Sequence, residues 1–412
     1  MRKSADVVIL MQPSSNYTLL YPRQVEWESY IQQKPDVTFA DNIIEFLNAL
    51  SSAILKDRTC RQYADVITFA FFCRKANIIS LKEKYSSTED LRLGRGILFH
   101  IAPSNVPINF GYSLVAGLLA GNNNIVRVSS KQFPQVDLVI KHLQELMDSG
   151  QHDEVAKRIA LVRYDRNSDA SAFFSSICNV RVIWGGDATI QTIRQNAIPA
   201  RSFDVCFADR YSIAAINPDA ILSASDADIK ELAESFYNDT YLFDQNACSA
   251  PHTIFWLNND KLEAAKTRFW EAVHNYTAKK YKLQAVMAVD KLTAFYKQAV
   301  CVDIKKEVMP DNVVVRTELG ELPMNIEDYR CTCGYFSEYT IDSLDEIAPI
   351  ITTKYQSLGY YGFERENLVK FVKHNRLHGL DRIVPIGATT AFSLTWDGYN
   401  LIEMFSRIPS II

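Results

Sequence analysis

From Gly94 onward, short apolar runs alternate with longer amphipathic ones. Gly96-Ile-Leu-Phe-His-Ile101 predicts a buried strand, and residues 108–120 a helix lying on a sheet and stopped by Gly121. Asn122-Asn123-Asn124 reads as a turn into a second strand at 125–128. An amphipathic helix at 136–147 follows Pro134, then a strand at 159–162, a helix at 170–177, a strand at 180–183 and a helix at 188–195. Such alternation indicates a parallel, doubly wound α/β sheet. Ser225, with Asp228 three residues on, predicts the start of a helix over 226–237 that leads straight into residues 239–252. A second α/β region follows to about residue 378, then a tail.

At 412 residues and 48% hydrophobic content, the chain is too long for one ordinary core and predicts two packed domains. We expect 1–235 to bind a cofactor, 236–378 to be catalytic, and 379–412 to return to the first domain or to an oligomer interface. A net charge of -4 argues against an extended basic surface, so nucleic acid is not an expected partner. No apolar run approaches the roughly 18 residues needed to span a bilayer. The run at 7–11 is short, follows Asp6, lacks a small-residue cleavage site, and is not read as a signal peptide. Eight scattered cysteines suggest reduced thiols in a cytoplasmic protein. Cys331-Thr332-Cys333 is the only close pair and nothing completes a zinc set, so no metal site is expected.

Four segments could carry chemistry. In Leu242-Phe-Asp-Gln-Asn-Ala-Cys248-Ser-Ala-Pro-His252, small neighbours would let a carbonyl reach the sulfur. The same cysteine could equally be a buried structural thiol. In Ile101-Ala-Pro103-Ser-Asn105-Val-Pro107, prolines rigidify a loop at the carboxyl end of a strand. Its asparagine is either an oxyanion donor or a turn residue satisfying its own backbone. Val128-Ser129-Ser130-Lys131 follows a strand, and Trp184-Gly185-Gly186-Asp187 joins strand to helix where a phosphate could approach. There is no intact GxGxxG, and either glycine pair alone is more often just a turn.

The order and spacing of these segments resemble the aldehyde dehydrogenase superfamily, and within it the LuxC-type long-chain acyl-CoA reductases. The likeness spans about residues 90–410 and rests on His100-Ile-Ala-Pro-Ser-Asn-Val-Pro107, Gly117-Leu-Leu-Ala-Gly-Asn122, Trp184-Gly-Gly186, Asp244-Gln-Asn-Ala-Cys248 and Trp396-Asp-Gly398. It implies an aldehyde dehydrogenase-like fold, a doubly wound Rossmann-type cofactor domain plus an α/β domain carrying the cysteine. Cys248 matches the catalytic cysteine, and Asn105 the asparagine that, with the backbone N–H of Cys248, forms the oxyanion hole. Pro103, Arg127, Ser129, Ser130, Lys131, Gly185 and Gly186 match cofactor-binding positions.

Two departures refine the implication. The hydrolytic members' glutamate base, with its Glu-Leu-Gly-Gly-like signature, is missing from Ser202-Phe-Asp-Val-Cys-Phe-Ala-Asp209, although Asp204 and Asp209 are nearby. That loss suits an acyl-cysteine that must outlast water until hydride arrives. Ser130, beside Lys131, stands where NAD-specific members often have glutamate, which favours NADPH over NADH. The expected reaction is reduction of a fatty acyl-CoA, or of an acyl group from a partner acyl-protein synthetase, to a fatty aldehyde. A homo-oligomer is expected. The alternatives are an NAD(P)-dependent aldehyde dehydrogenase making an acid, a non-redox cysteine acyltransferase or thioesterase, and a structural subunit that kept the fold. His100 and His252 are possible general acids by position only.

Overall fold

The computed structural model describes residues 16–85, 91–308 and 311–411, so the apolar run at 7–11 lies outside the described residues. The chain divides into two compact units, Met1–Ala208 with Tyr399–Ile412, and Asp209–Gly398.

The first unit is built on β1 (Thr18–Tyr21), β2 (Ile97–Ile101), β3 (Asn123–Arg127), β4 (Ile159–Arg163), β5 (Val180–Trp184) and β6 (Phe203–Phe207), in the order β1-β4-β3-β2-β5-β6. Only β1 is antiparallel to its neighbour. Every residue of β2 is buried, as a strand covered on both faces requires. Phe99, Ile125, Val162 and Phe174 share one core cluster. The helices that concern the site are α1 (Asp41–Lys56), α2 (Asn109–Leu119), α3 (Pro134–Met147) and α4 (Asp187–Arg194). At Gly117, α2 lies so close to the sheet that a Cβ would fall 1.9 Å from Asn124 Oδ1, so only glycine fits. From β2 the chain builds outward through β3 and β4, then crosses back to β5 and β6. The switch point therefore lies between the carboxyl ends of β2 and β5, where open α/β sheets form a crevice.

The predicted asparagine turn is corrected. Asn123 and Asn124 already belong to β3, and Asn122, Asn123 and Asn124 are all buried. Asn122 Oδ1 accepts the N–H groups of Arg95 (2.7 Å) and Gly96 (3.1 Å), while its Nδ2 donates to Phe405 O (2.9 Å). Asn124 Nδ2 donates to Asn122 O (2.8 Å). Turn propensity yields here because these amides satisfy buried backbone groups.

The second unit holds β7 (Tyr211–Ile216), β8 (Pro251–Leu257), β9 (Ile304–Val308), β10 (Val315–Leu319), β11 (Tyr335–Ile341), β12 (Tyr355–Tyr361) and β13 (Arg382–Pro385), ordered β9-β10-β11-β8-β7-β12-β13. Only the β9–β10 pair is antiparallel. Alternate residues of β7 serve opposite cores: Ile213 and Ala215 pack with Leu358 and Phe371, whereas Ala214 and Ile216 pack with Trp256 and Phe269. The helices are α5 (Asp226–Thr240), α6 (Leu262–Lys280) and α7 (Ala285–Cys301). Ser225 and Asp228 form the full capping box at the start of α5.

The division falls at Ala208/Asp209, not at 235/236. Strand β7 is the reason: it lies between β8 and β12, and its Ala214 and Ile216 share a core with Ile229, Leu232 and Phe236 of α5. The tail also divides later than 379. β13 pairs with β12 in the second unit, while Ser406–Arg407 pairs with Leu93–Gly94 in the first.

Candidate active site

The cysteine loop begins where α5 ends. After a single 3₁₀ turn, Tyr241–Phe243, Asp244 and Gln245 take φ of 51° and 59°, left-handed values that cost non-glycine residues energy. Surrounding bonds hold them there. Gln245 is buried; its Nε2 donates to Pro251 O (2.9 Å) and Tyr335 O (3.1 Å), and its Oε1 accepts from the N–H of Gly334 (2.9 Å) and of Tyr335 (3.2 Å). Cys333 N–H donates to Asp244 O (3.0 Å), and Tyr281 Oη to Asp244 Oδ1 (2.6 Å). Cys248 follows, half-buried between Ala247 and Ser249, and Ser212 Oγ donates to its carbonyl (2.7 Å).

The segments around Cys248 are the amino-terminal approaches to parallel strands: Asp209 and Arg210 before β7, Cys248 before β8, and Arg330 before β11. The backbone N–H of Arg210 favours the charged form of the sulfur. Arg330 Nη2 pairs with Asp209 Oδ2 (2.7 Å), and Arg330 Nη1 donates to Arg210 O (3.0 Å). Asp397 is buried, accepts from Gln356 Nε2 (2.6 Å), and lies 3.9 Å from Arg210 Nη1. Burial pushes the Cys248 thiol above its ordinary range. The Arg210 N–H and the Arg330 guanidinium oppose that rise, whereas the carboxylates of Asp209 and Asp397 add to it. The resting group is therefore a thiol that must lose its proton as it reacts. Burial likewise raises the Asp397 carboxyl.

Neither histidine is a proton carrier near neutral pH. His252 stacks on Tyr211 and contacts Cys331 O at 3.0 Å; burial lowers its pKa to about 3. His100 is buried, bonded at Nδ1 to Ser113 Oγ (2.7 Å) and at Nε2 to Asn124 Oδ1 (3.0 Å); burial lowers it to about 4. Asp204 is committed to structure, accepting from Arg181 Nε (2.8 Å) and Arg194 Nε (3.2 Å).

The remaining sequence-derived residues lie in the first unit, on loops leaving the carboxyl ends of β2, β3 and β5, three adjacent strands. Pro103 and the exposed Asn105 are on the loop after β2. Arg127, at the end of β3, places its guanidinium 4.9 Å from the centre of the Tyr164 ring and donates from Nη2 to Tyr164 O (3.2 Å). Its Nε is buried without a hydrogen-bond partner. Ser129 Oγ accepts from Lys131 N–H (3.2 Å), and the exposed Ser130 donates to Tyr164 O (3.3 Å). Lys131 Nζ lies 4.8 Å from the centre of the Phe133 ring. Gly185 and Gly186 join β5 to α4; a Cβ on Gly186 would meet open space, and Gly186 O accepts the N–H of Ile190 (3.1 Å).

Sequence reasoning missed Arg210, Arg330 and the clamping role of Gln245. Gln245 was legible only as part of the motif around Cys248. The two arginines come near the sulfur because neighbouring strands start there, a relation with no local sequence signal.

The fold is that of the aldehyde dehydrogenases. Lactaldehyde dehydrogenase from Escherichia coli aligns with a TM-score of 0.62 at 11% identity, covering 93% of this chain and 87% of that one. A 1-pyrroline-5-carboxylate dehydrogenase from Thermus with bound NAD aligns with a TM-score of 0.60 at 11% identity, covering 93% and 82%. Residues 79–407 match the family described as Acyl-CoA reductase (LuxC), and the chain belongs to that family. It is 22% identical over 310 residues to a long-chain acyl-protein thioester reductase of Vibrio harveyi, covering 72% of this chain and 60% of the relative. The figures for the Photorhabdus luminescens protein of the same description are 25% over 311 residues, 72% and 59%. The chain thus spans about three fifths of the length of these curated relatives. No helix among the described residues is long and apolar enough to cross a membrane.

Proposed function

We propose that the chain reduces a long-chain acyl thioester to a fatty aldehyde through an acyl-cysteine on Cys248. The observation that carries this reading is the setting of the sulfur. It is partly accessible, lies near the Arg330 guanidinium, and sits on a loop whose left-handed residues are locked by Gln245. Family membership and the names of the relatives support a thioester as the substrate.

In this mechanism Cys248 gives up its proton to solvent and its thiolate attacks the thioester carbonyl. The carbonyl electrons move to oxygen, where Asn105 has the oxyanion-donor role that the resemblance implies. As the tetrahedral species collapses, the bond to the carrier sulfur breaks, and the departing thiolate takes a proton. Histidines held neutral do not supply it, so the transfer falls to solvent or to the buried Asp397 carboxyl. Asp209 is held by Arg330, which disfavours its use as a base for water and suits a long-lived acyl-cysteine.

A nicotinamide cofactor fits the first unit. The switch-point crevice, the glycine joint before α4 and the unpaired Arg127 Nε supply a cradle and a spare donor. When bound, the cofactor would supply hydride. Pro103, Arg127, Ser129, Ser130, Lys131, Gly185 and Gly186 are the residues proposed to hold it. NADPH is the proposed form, because Ser130 and Lys131 offer no carboxylate to repel a 2′-phosphate. A partner acyl-protein synthetase is the proposed alternative to free CoA as acyl donor, and a homo-oligomer the proposed assembly.

The test is incubation with tetradecanoyl-CoA and NADPH while following reduced-nicotinamide absorbance and product. Loss of absorbance with aldehyde appearing supports the reading. Thioester hydrolysis without NADPH consumption contradicts it.

A further inference from the structure

We propose that Asp57, Cys60 and His142 form a binding site for a zinc-type divalent transition metal in the first unit, apart from the chemistry assigned to Cys248. No local motif announces the site, because His142 lies 82 residues beyond Cys60 and no CxxC or HxxxH spacing links the donors. Asp57 follows the last turn of α1, Cys60 opens the short 3₁₀ turn Cys60–Gln62, and His142 projects from α3.

His142 Nε2 lies 3.1 Å from Asp57 Oδ2 and 3.7 Å from Cys60 Sγ, and all three donor atoms lie within 4.8 Å of one another. Donors around a tetrahedral zinc, at about 2.0–2.3 Å from the ion, are separated from one another by roughly 3.3–3.8 Å. The side chains need little adjustment to reach that spacing.

The orientation of the imidazole separates this reading from a thiol–imidazole–carboxylate relay. A relay uses both ring nitrogens, one toward the thiol and one toward the carboxylate. Here thiol and carboxylate converge on the same nitrogen, as ligands of one ion do. Nδ1 faces the other way, buried and without a hydrogen-bond partner, with Glu145 Oε2 3.3 Å away. An ion on Nε2 forces the ring proton onto Nδ1, where Glu145 can accept it. That is the carboxylate–histidine–metal arrangement that orients metal-bound histidines.

The other donors are also prepared. Asp57 Oδ1 is occupied by the Thr59 N–H (2.8 Å) and hydroxyl, leaving Oδ2 for the ion. Cys60 is fully buried and the His142 side chain 7% exposed, whereas that of Asp57 is 18% exposed and marks the side from which an ion and a completing water enter. On binding, the Cys60 S–H bond breaks and its proton passes to buffer. Thiolate and carboxylate then balance a 2+ charge. A thiolate–imidazole pair favours zinc-like ions over magnesium or calcium. Asp57 and Cys60 precede the family-matched residues 79–407 and His142 lies within them, so an ion would staple the turn after α1 to α3.

The experiment is a Co²⁺ titration of the full chain after chelator treatment, read by the thiolate-to-cobalt charge-transfer band, with Zn²⁺ displacement and melting temperature alongside. We expect one Co²⁺ per chain, loss of the band in Cys60→Ser, and tighter folding of the wild type with Zn²⁺. The Glu145 side chain is exposed, so Glu145→Gln keeps the fold should Cys60→Ser not. Glu145→Gln should weaken binding about tenfold or more, the usual loss when the group that orients a metal-bound histidine is removed. Absence of a charge-transfer band in the wild type, a band that persists in Cys60→Ser, or unchanged affinity in Glu145→Gln overturns the proposal.

Discussion

The side-chain amide of Gln245 bonds the backbone of Tyr335 at two points, donating to its carbonyl at 3.1 Å and accepting its N–H at 3.2 Å. It acts as one more peptide unit beside the start of β11, and so ties the cysteine loop to the sheet. Gln245→Ala leaves these buried groups, together with Gly334 N–H and Pro251 O, without that partner. The expected cost is about 2–4 kcal/mol. It should appear as a lower urea midpoint and a slower Cys248 acylation. An unchanged midpoint would show that water replaces the amide.

Asp209 and Arg330 adjust, in opposite directions, a thiol that burial chiefly raises. Asp209→Asn removes a carboxylate that raises the Cys248 pKa and releases the arginine that lowers it. Alkylation by iodoacetamide at pH 7 should therefore speed up several-fold, whereas Arg330→Met should slow it. Equal rates in all three proteins would mean that burial alone governs the sulfur.

The two buried histidines make acid destabilising. The pKa values of His100 and His252 are held down to about 4 and about 3 in the folded chain. Unfolded, each binds a proton below about 6.5. The unfolded state thus carries more protons between about 6.5 and those lower values, so this stability falls as the pH drops through that window. Asp239 works in the opposite direction. Burial raises its carboxyl to about 6, so its share is present at low pH and is lost as the pH rises through that value. The histidine shifts are larger, so the urea midpoint should drop from pH 7 to pH 5, less steeply in His100→Asn. A midpoint that rises on acidification would contradict the assignment.

Cofactor choice can be tested at Ser130. The residue is exposed on the loop after β3, and its hydroxyl donates to a backbone carbonyl at 3.3 Å. A glutamate there would repel a 2′-phosphate, an effect that salt screens. Ser130→Glu should weaken NADPH far more than NADH in fluorescence titrations. Equal loss of both would place the adenosine end elsewhere.

The sequence revealed what is local and periodic. The first unit's strands at 97–101, 159–163 and 180–184 and the capped helix from Asp226 were legible because apolar runs and caps are short-range signals. Asn122–Asn124 misled because turn chemistry and buried amide networks use the same residue. The domain boundary was misplaced because Tyr211–Ile216 fills both faces of a central strand, and nothing in its apolar run says which unit it joins. Arg210, Arg330 and the Asp57–Cys60–His142 cluster depend on contacts between distant segments, which no window along the chain contains.

The most direct test of the account is acyl transfer to Cys248 itself. Radiolabelled tetradecanoyl-CoA supplied without NADPH should leave one acyl group per chain, released by neutral hydroxylamine and discharged as aldehyde when NADPH is added. Cys248→Ala should take up none. Label retained by Cys248→Ala on another cysteine, such as Cys206 or Cys331, would contradict the central claim.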